Sequence, residues 1–123
     1  MITGYDHFGQ LADSLQWDEA DIDYSADREA WPQLTNAENT QVLGLLAGFV
    51  IAETSVSGQL GSYQVAASDD SMQAVFRAQA RDEARHARFF DLVCAEVACV
   101  PGTNPAARRD ALRTHVSTAL VDL

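Results

Sequence analysis

Two long amphipathic segments of matched length, separated by a short turn, constrain the fold of this chain more than any other feature. The first starts at the capping box Thr35-Asn36-Ala37-Glu38, in which hydroxyl and carboxylate groups satisfy free backbone N–H groups. It is expected to end near residue 65, which makes it roughly 30 residues or 45 Å long. Its apolar stripe, with Glu53 near the centre, consists of Val42, Leu45, Leu46, Phe49, Glu53, Val56 and Leu60.

The second segment follows a turn at residues 67–71 that supplies capping residues. It is expected to run to about Val100, where Pro101-Gly102 ends it. A short loop makes two such helices antiparallel neighbours. One stripe of this helix consists of Phe76, Gln79, Glu83, His86, Phe90, Val93 and Val97.

The spacing Glu83-x-x-His86 places a carboxylate and an imidazole on one helical face, about 5–6 Å apart at Cβ, so that one metal ion can bind both. Glu53 is expected at a similar height on the neighbouring helix. A carboxylate in an apolar stripe must be neutralised, find a partner or coordinate a metal. Two other interpretations stay open, since a lone Glu-x-x-His is common by chance and Glu53 could form a buried salt bridge with an arginine.

These three residues amount to half of a known ligand set. In ferritin-like dimetal bundles, two helices each supply a Glu and two others each supply a Glu-x-x-His. Carboxylate oxygens with one imidazole suit iron or manganese. The predicted fold is therefore all-α, a ferritin-like helical half-bundle of two long antiparallel helices with an N-terminal arm and a short C-terminal helix, completed by another chain or copy.

The domain organisation predicted on this basis is an N-terminal arm at residues 1–34 and the half-bundle at residues 35–123. Residues 1–16 could form a short helix. Residues 17–34 lack sustained helical periodicity, so their aromatic and apolar side chains are expected to pack them, namely Trp17, Ile22, Tyr24 and Trp31. After an N-cap and a helix-starting proline at Asn104-Pro105, a last helix is expected to place Leu112, Val116, Ala119 and Leu123 on one face.

Composition narrows the classes of partner. The net charge of −10 disfavours nucleic acids and anionic membranes, which require clustered basic residues. The second helix also carries four arginines, which we interpret as a solvated or salt-bridging face: Arg77, Arg81, Arg85 and Arg88. The longest apolar run, residues 45–52, is shorter than the roughly 20 residues of a membrane span. No basic and apolar leader starts the sequence, so we expect a cytoplasmic protein with reduced Cys94 and Cys99.

Three runs in this order, Trp17–Arg28, Phe49–Val56 and Asp82–Phe90, resemble the N-terminal half of the ribonucleotide reductase small-subunit superfamily. The greatest similarity is to the reductase-like ligand-binding oxidases. The resemblance implies that Glu53, Glu83 and His86 are metal ligands. It also implies two iron ions, or one manganese and one iron, per complete site. The pocket and surrounding residues expected on this basis are Trp17, Phe49, Val56, Gln79 and Phe90.

Two positions narrow the comparison with that superfamily. Phe90 stands where radical-storing reductases have a tyrosine, which excludes a stable tyrosyl radical there. Val56 matches a valine that becomes cross-linked to a tyrosine in the oxidases, and here that tyrosine would have to lie in a second half.

The expected function is an oxidoreductase that activates dioxygen and oxidises a small molecule, with the catalytic residues unassigned. A ferroxidase or iron-handling protein and a metal-free subunit of a heteromer are the alternatives. The second half-site is expected from a homodimer partner, from a different chain, or from a remainder that this sequence lacks. An apolar patch as large as the paired stripes calls for such a partner.

Overall fold

The computed structural model describes residues 4–116, and all regular structure in that range is helical. The α-helices are α1 (Tyr5–Ser14), α2 (Ser25–Ala30), α3 (Asn36–Ala66), α4 (Asp70–Glu96) and α5 (Pro105–Leu112). Short 3₁₀ segments lie at Glu19–Asp21, Trp31–Gln33 and Arg113–His115. The all-α class expected from the sequence is confirmed.

The hairpin of α3 and α4 forms the body of the structure. The Thr35 hydroxyl accepts from the Glu38 N–H, and the Glu38 carboxylate accepts from the Thr35 N–H at 2.8 Å, so the predicted capping box is confirmed. Asp69 caps α4 by accepting from the Met72 N–H at 2.9 Å. Only residues 67–69 separate the two helices, which are therefore antiparallel and pack along their length.

The second long helix is shorter than predicted, since it ends at Glu96 rather than near Val100. The chain reverses before the proline, because Cys99 adopts a left-handed backbone conformation with φ of 51°. Gly102 has φ of 148°, and a Cβ there would lie 2.6 Å from the Arg108 backbone nitrogen. Only glycine fits this close approach between the loop and α5.

The last helix begins as predicted and ends early. Asn104 accepts from the Ala107 N–H at 2.9 Å, and Pro105 occupies the first turn. The helix stops at Leu112, and Val116 is extended, so the expected continuation through Val116 is wrong. The predicted positions Ala119 and Leu123 lie outside the described residues.

One side of the hairpin, here called the closed face, carries the core. Its buried cluster consists of Leu46, Ala47, Val50, Cys94 and Leu112, which joins α3, α4 and α5. Cys94 is completely buried there. A half-buried ion pair, in which Arg108 Nε donates to Asp91 at 2.8 Å, ties α5 to α4 beside the cluster.

The N-terminal segment packs on α4 and contains more helix than predicted, because α2 and two 3₁₀ segments lie within residues 17–34. Of the expected anchors, Tyr24 is buried and Trp31 is half-buried, whereas Trp17 and Ile22 are partly exposed. Salt bridges from α4 hold this segment: Arg81 pairs with Asp13, Arg88 with Glu19 and Glu96 with Arg28.

The opposite side of the hairpin, here called the open face, consists of Leu45, Phe49, Glu53 and Val56 of α3 with Glu83, His86 and Phe90 of α4. The paired stripes were expected to need a partner that covers them, and Leu45, Phe49 and Val56 are 64%, 46% and 40% exposed within this chain. Within residues 4–116, α3 packs its other side on α4 and α5. On the open face, Trp17 lies over His86, whereas the apolar α3 side chains stay largely exposed.

By length and composition, α3 could also cross a membrane, since one 18-residue window has a mean hydropathy of 1.4. Core helices of soluble proteins have the same composition, so this property alone decides nothing. Only 22% of that window is buried by the described residues. The helix is therefore much more apolar than its packing within this chain requires.

Candidate metal centre

The hairpin brings three metal-ligating side chains together at the middle of the open face. Glu53 lies near the centre of α3, and Glu83 and His86 are one turn apart near the centre of α4. His86 Nδ1 is 3.3 Å from Glu83 Oε2 and 3.8 Å from Glu53 Oε2. One ligand atom from each residue lies within 4.8 Å of the other two. No other group of three such donors occurs between residues 4 and 116.

Partial burial sets the electrostatics of this group. The side chains of Glu53 and Glu83 are 18% and 19% exposed, and that of His86 is 38% exposed. Burial, followed by hydrogen bonding and repulsion from Glu83, raises the pKa of Glu53 to about 7, and His86 opposes this rise. Glu53 therefore holds its proton to a higher pH than an exposed glutamate does.

The donor set fits a hard divalent cation. Oxygen and nitrogen ligands bound to one ion at about 2.0–2.2 Å lie about 3–4 Å from each other, which matches the two distances from His86 Nδ1. Carboxylates with imidazole and no thiolate suit iron or manganese better than structural zinc. Three protein donors are fewer than the six of an octahedral ion, so positions stay open for further ligands.

Trp17 covers the imidazole from the N-terminal segment. Its ring stacks on His86 with centroids 6.1 Å apart and an angle of 22°, and it meets Phe89 edge-on at 6.0 Å. The guanidinium of Arg85 lies 4.8 Å from the Trp17 ring centre. The resemblance implied that Trp17 lies near Glu53, Glu83 and His86, and in the structure its ring stacks on that of His86.

Arg85 corrects the interpretation of the arginine face. It was expected on a solvated or salt-bridging surface, but the structure buries it under the N-terminal segment. It donates to Asp82 at 2.7 Å and to Gln16, while its Nε has no hydrogen-bond partner. The i,i+3 spacing of Asp82 and Arg85 is a signal from which their pairing could have been predicted, whereas the contacts of Arg85 with Gln16 and Trp17 span too much sequence.

Phe49 and Phe90 form the wall beside the donors. Their rings are parallel, with centroids 4.7 Å apart and an angle of 3°. An open cavity of about 430 Å³ adjoins the donors, lined by Trp17, Ile22, Glu53, His86, Phe89 and Phe90. Sequence reasoning missed Ile22 and Phe89 as lining residues, because only the packing of the N-terminal segment brings them to the site.

Two of the predicted pocket residues are not enclosed. Val56 lies one turn after Glu53, Gln79 lies one turn before Glu83, and both side chains are exposed. They flank the donors on the open face along the helices. A wall that includes them needs a second surface opposite the hairpin.

No model of a known protein family matches the chain, and no solved structure is similar to it. The resemblance to the reductase superfamily therefore rests on the three quoted runs of residues. Membership of that superfamily stays a prediction.

Proposed function

We propose that this chain carries half of a dimetal carboxylate site in a ferritin-like half-bundle, and that the completed site activates dioxygen to oxidise a small molecule. Two iron ions, or one manganese and one iron, are the proposed metals. A second half-bundle supplies the remaining ligands. The class of reaction is an oxidation by dioxygen, which makes the protein an oxidoreductase.

The observation that carries this proposal is the convergence of Glu53, Glu83 and His86 from two helices within 4.8 Å. A salt bridge is the main competing explanation for buried carboxylates, and it predicts a basic partner for Glu53 or Glu83. Three of the four arginines of α4, namely Arg81, Arg85 and Arg88, pair with other acids, and Arg77 forms no ion pair with Glu53 or Glu83. Apart from His86, no basic group forms an ion pair with either glutamate in the described part of the chain.

The position of each side chain suggests its role in the proposed site. Glu83 would bridge or chelate the metal, and Glu53 and His86 would be terminal ligands. When bound, the metal pair supplies dioxygen binding and takes up electrons from the substrate. Phe49, Phe90 and Trp17 place aromatic rings beside the donors, and the cavity there suits a small apolar or amine-bearing molecule.

Titration of the purified protein and its partner with Mn(II), or with Fe(II) under anaerobic conditions, tests the proposal. Tight binding is expected for the wild type, with a loss of at least about tenfold in Glu83→Ala. Glu29→Ala removes an exposed carboxylate from the N-terminal segment and should bind as the wild type does.

Two results contradict the proposal. One is failure of the wild type to bind either Mn(II) or Fe(II). The other is binding of the metal by Glu83→Ala that is as tight as binding by Glu29→Ala. The number of ions separates oxidation of a small molecule from iron storage. Two ions per complete site fit the proposed oxidase, whereas uptake of many irons per complex would show an iron-handling protein instead.

A further inference from the structure

The open face lacks both metal ligands and a surface to cover its apolar side chains. Its donors are too few for two ions, and its apolar side chains around Glu53 are exposed at Leu45, Phe49 and Val56. Exposed apolar groups that ring a polar site are typical of an interface. Both deficits would be met by one surface that brings donors at its centre and apolar side chains around them.

The open face itself has this arrangement, with donors at the centre and apolar side chains on either side along α3. A two-fold axis through the donors would place the same patch opposite itself, as in any isologous dimer. Two copies supply four carboxylates and two imidazoles, which is the ligand complement of ferritin-like dimetal bundles.

Two facing copies would require cations between them, because the open face is negatively charged. The described open face carries Glu53 and Glu83 and no arginine, so two facing copies bring four carboxylates together. Like charges at such short range oppose association in a partly dry interface. Two divalent cations carry four positive charges, equal to the four carboxylates with neutral imidazoles, so that metal binding and association should be coupled.

We propose that a second copy of this chain, related by a two-fold axis, covers the open face and contributes its own Glu53, Glu83 and His86 to a shared site for two divalent cations. This inference rests on the proposed function and names the partner of that site. The second copy satisfies the apolar surface, the ligand count and the charge balance with no component other than the metal.

Native mass and bound metal, measured in the same Mn(II)-loaded sample, test the inference. The 13.4 kDa chain is expected as a single copy in chelator and as a dimer with Mn(II), with two ions per dimer. Leu45→Glu places a charge on the exposed open face without disturbing the core. This variant should stay a single copy and lose Mn(II) affinity by at least about tenfold, because it lacks the partner's ligands.

Val65→Glu is the matched control, since Val65 lies on the same helix, is 86% exposed and is outside the open face. It should dimerise and bind Mn(II) as the wild type does. Circular dichroism of both variants verifies that the helices are retained.

The possible failures differ from each other. If a single copy binds Mn(II) through Glu83 and His86, the inference of a second copy is wrong, but the proposed function is not contradicted. Dimerisation that Leu45→Glu does not affect also overturns the inference, because the interface then lies elsewhere. Metal binding that requires a different chain excludes the copy as partner. Absence of Mn(II) and Fe(II) binding in every oligomeric state refutes the proposed function itself.

Discussion

The two faces of the α3–α4 hairpin are built from the same helices and differ in how their side chains are satisfied. On the closed face, Leu46 and Cys94 pack against Leu112, and the charge of Arg108 meets Asp91. On the open face, Leu45 is exposed and Glu53 faces a second carboxylate. The contrast shows that the chain stabilises its fold with the closed face, and it supports the proposal that the open face binds metal and a partner.

The largest predicted difference between the faces comes from two adjacent leucines. Leu46 is 8% exposed and Leu45 is 64% exposed, so the same truncation to alanine tests both faces of one helix. In metal-free protein at low concentration, Leu46→Ala should lower the free energy of unfolding by about 2–4 kcal/mol, because it leaves a cavity. Leu45→Ala should change it by less than about 0.5 kcal/mol. Urea denaturation measures both, and equal losses would abolish the distinction between the faces.

A smaller effect is predicted for the ion pair of the closed face. Asp91→Ala leaves the half-buried Arg108 without its main partner and should destabilise the chain by about 2 kcal/mol. Asp110→Ala breaks the exposed pair with Arg113 and should cost less than about 0.5 kcal/mol. If thermal unfolding shows the two variants to be equally stable, the closed face does not depend on Asp91.

The smallest effect is a pH dependence on the open face. The pKa of Glu53 is raised from an ordinary 4.5 to about 7, chiefly by burial, so the folded chain holds this proton more tightly than the unfolded chain does. Its contribution to stability is complete below about pH 4.5 and is lost as the pH rises through about 7. In chelator, Glu53→Gln should therefore gain stability relative to the wild type between pH 5.5 and pH 8, whereas Glu29→Gln should not. A difference that does not change with pH would show that Glu53 is ionised without cost.

Local signals in the sequence predicted the frame of the fold. The caps at Thr35 and Asn104 use side chains within three residues of the groups that they satisfy, so they could be read directly. The stripes that carry Glu53 and Glu83 placed both carboxylates at the middle of paired helices. Their convergence with His86 then followed from a short turn between helices of similar length.

Features that depend on distant contacts could not be predicted. Arg85 is buried because Gln16 and Trp17, which come from a separate segment, lie over it. The early end of α4 is accompanied by the left-handed conformation of Cys99, and cysteine is not a residue type that favours this conformation. Periodicity identified which residues share a face, but it could not show that Leu46 would be buried within the chain and Leu45 exposed.

The most direct test of the metal site is electron spin echo modulation of the Mn(II)-loaded protein, which detects nitrogen bound to the metal. The wild type should show the coupling of a coordinated imidazole. His7→Gln, which alters an exposed histidine far from the donors in sequence, should keep it, and His86→Gln should lose it. A nitrogen coupling that persists in His86→Gln, or is absent from Mn(II)-loaded wild type, would contradict the assignment of the open face as half of a metal centre.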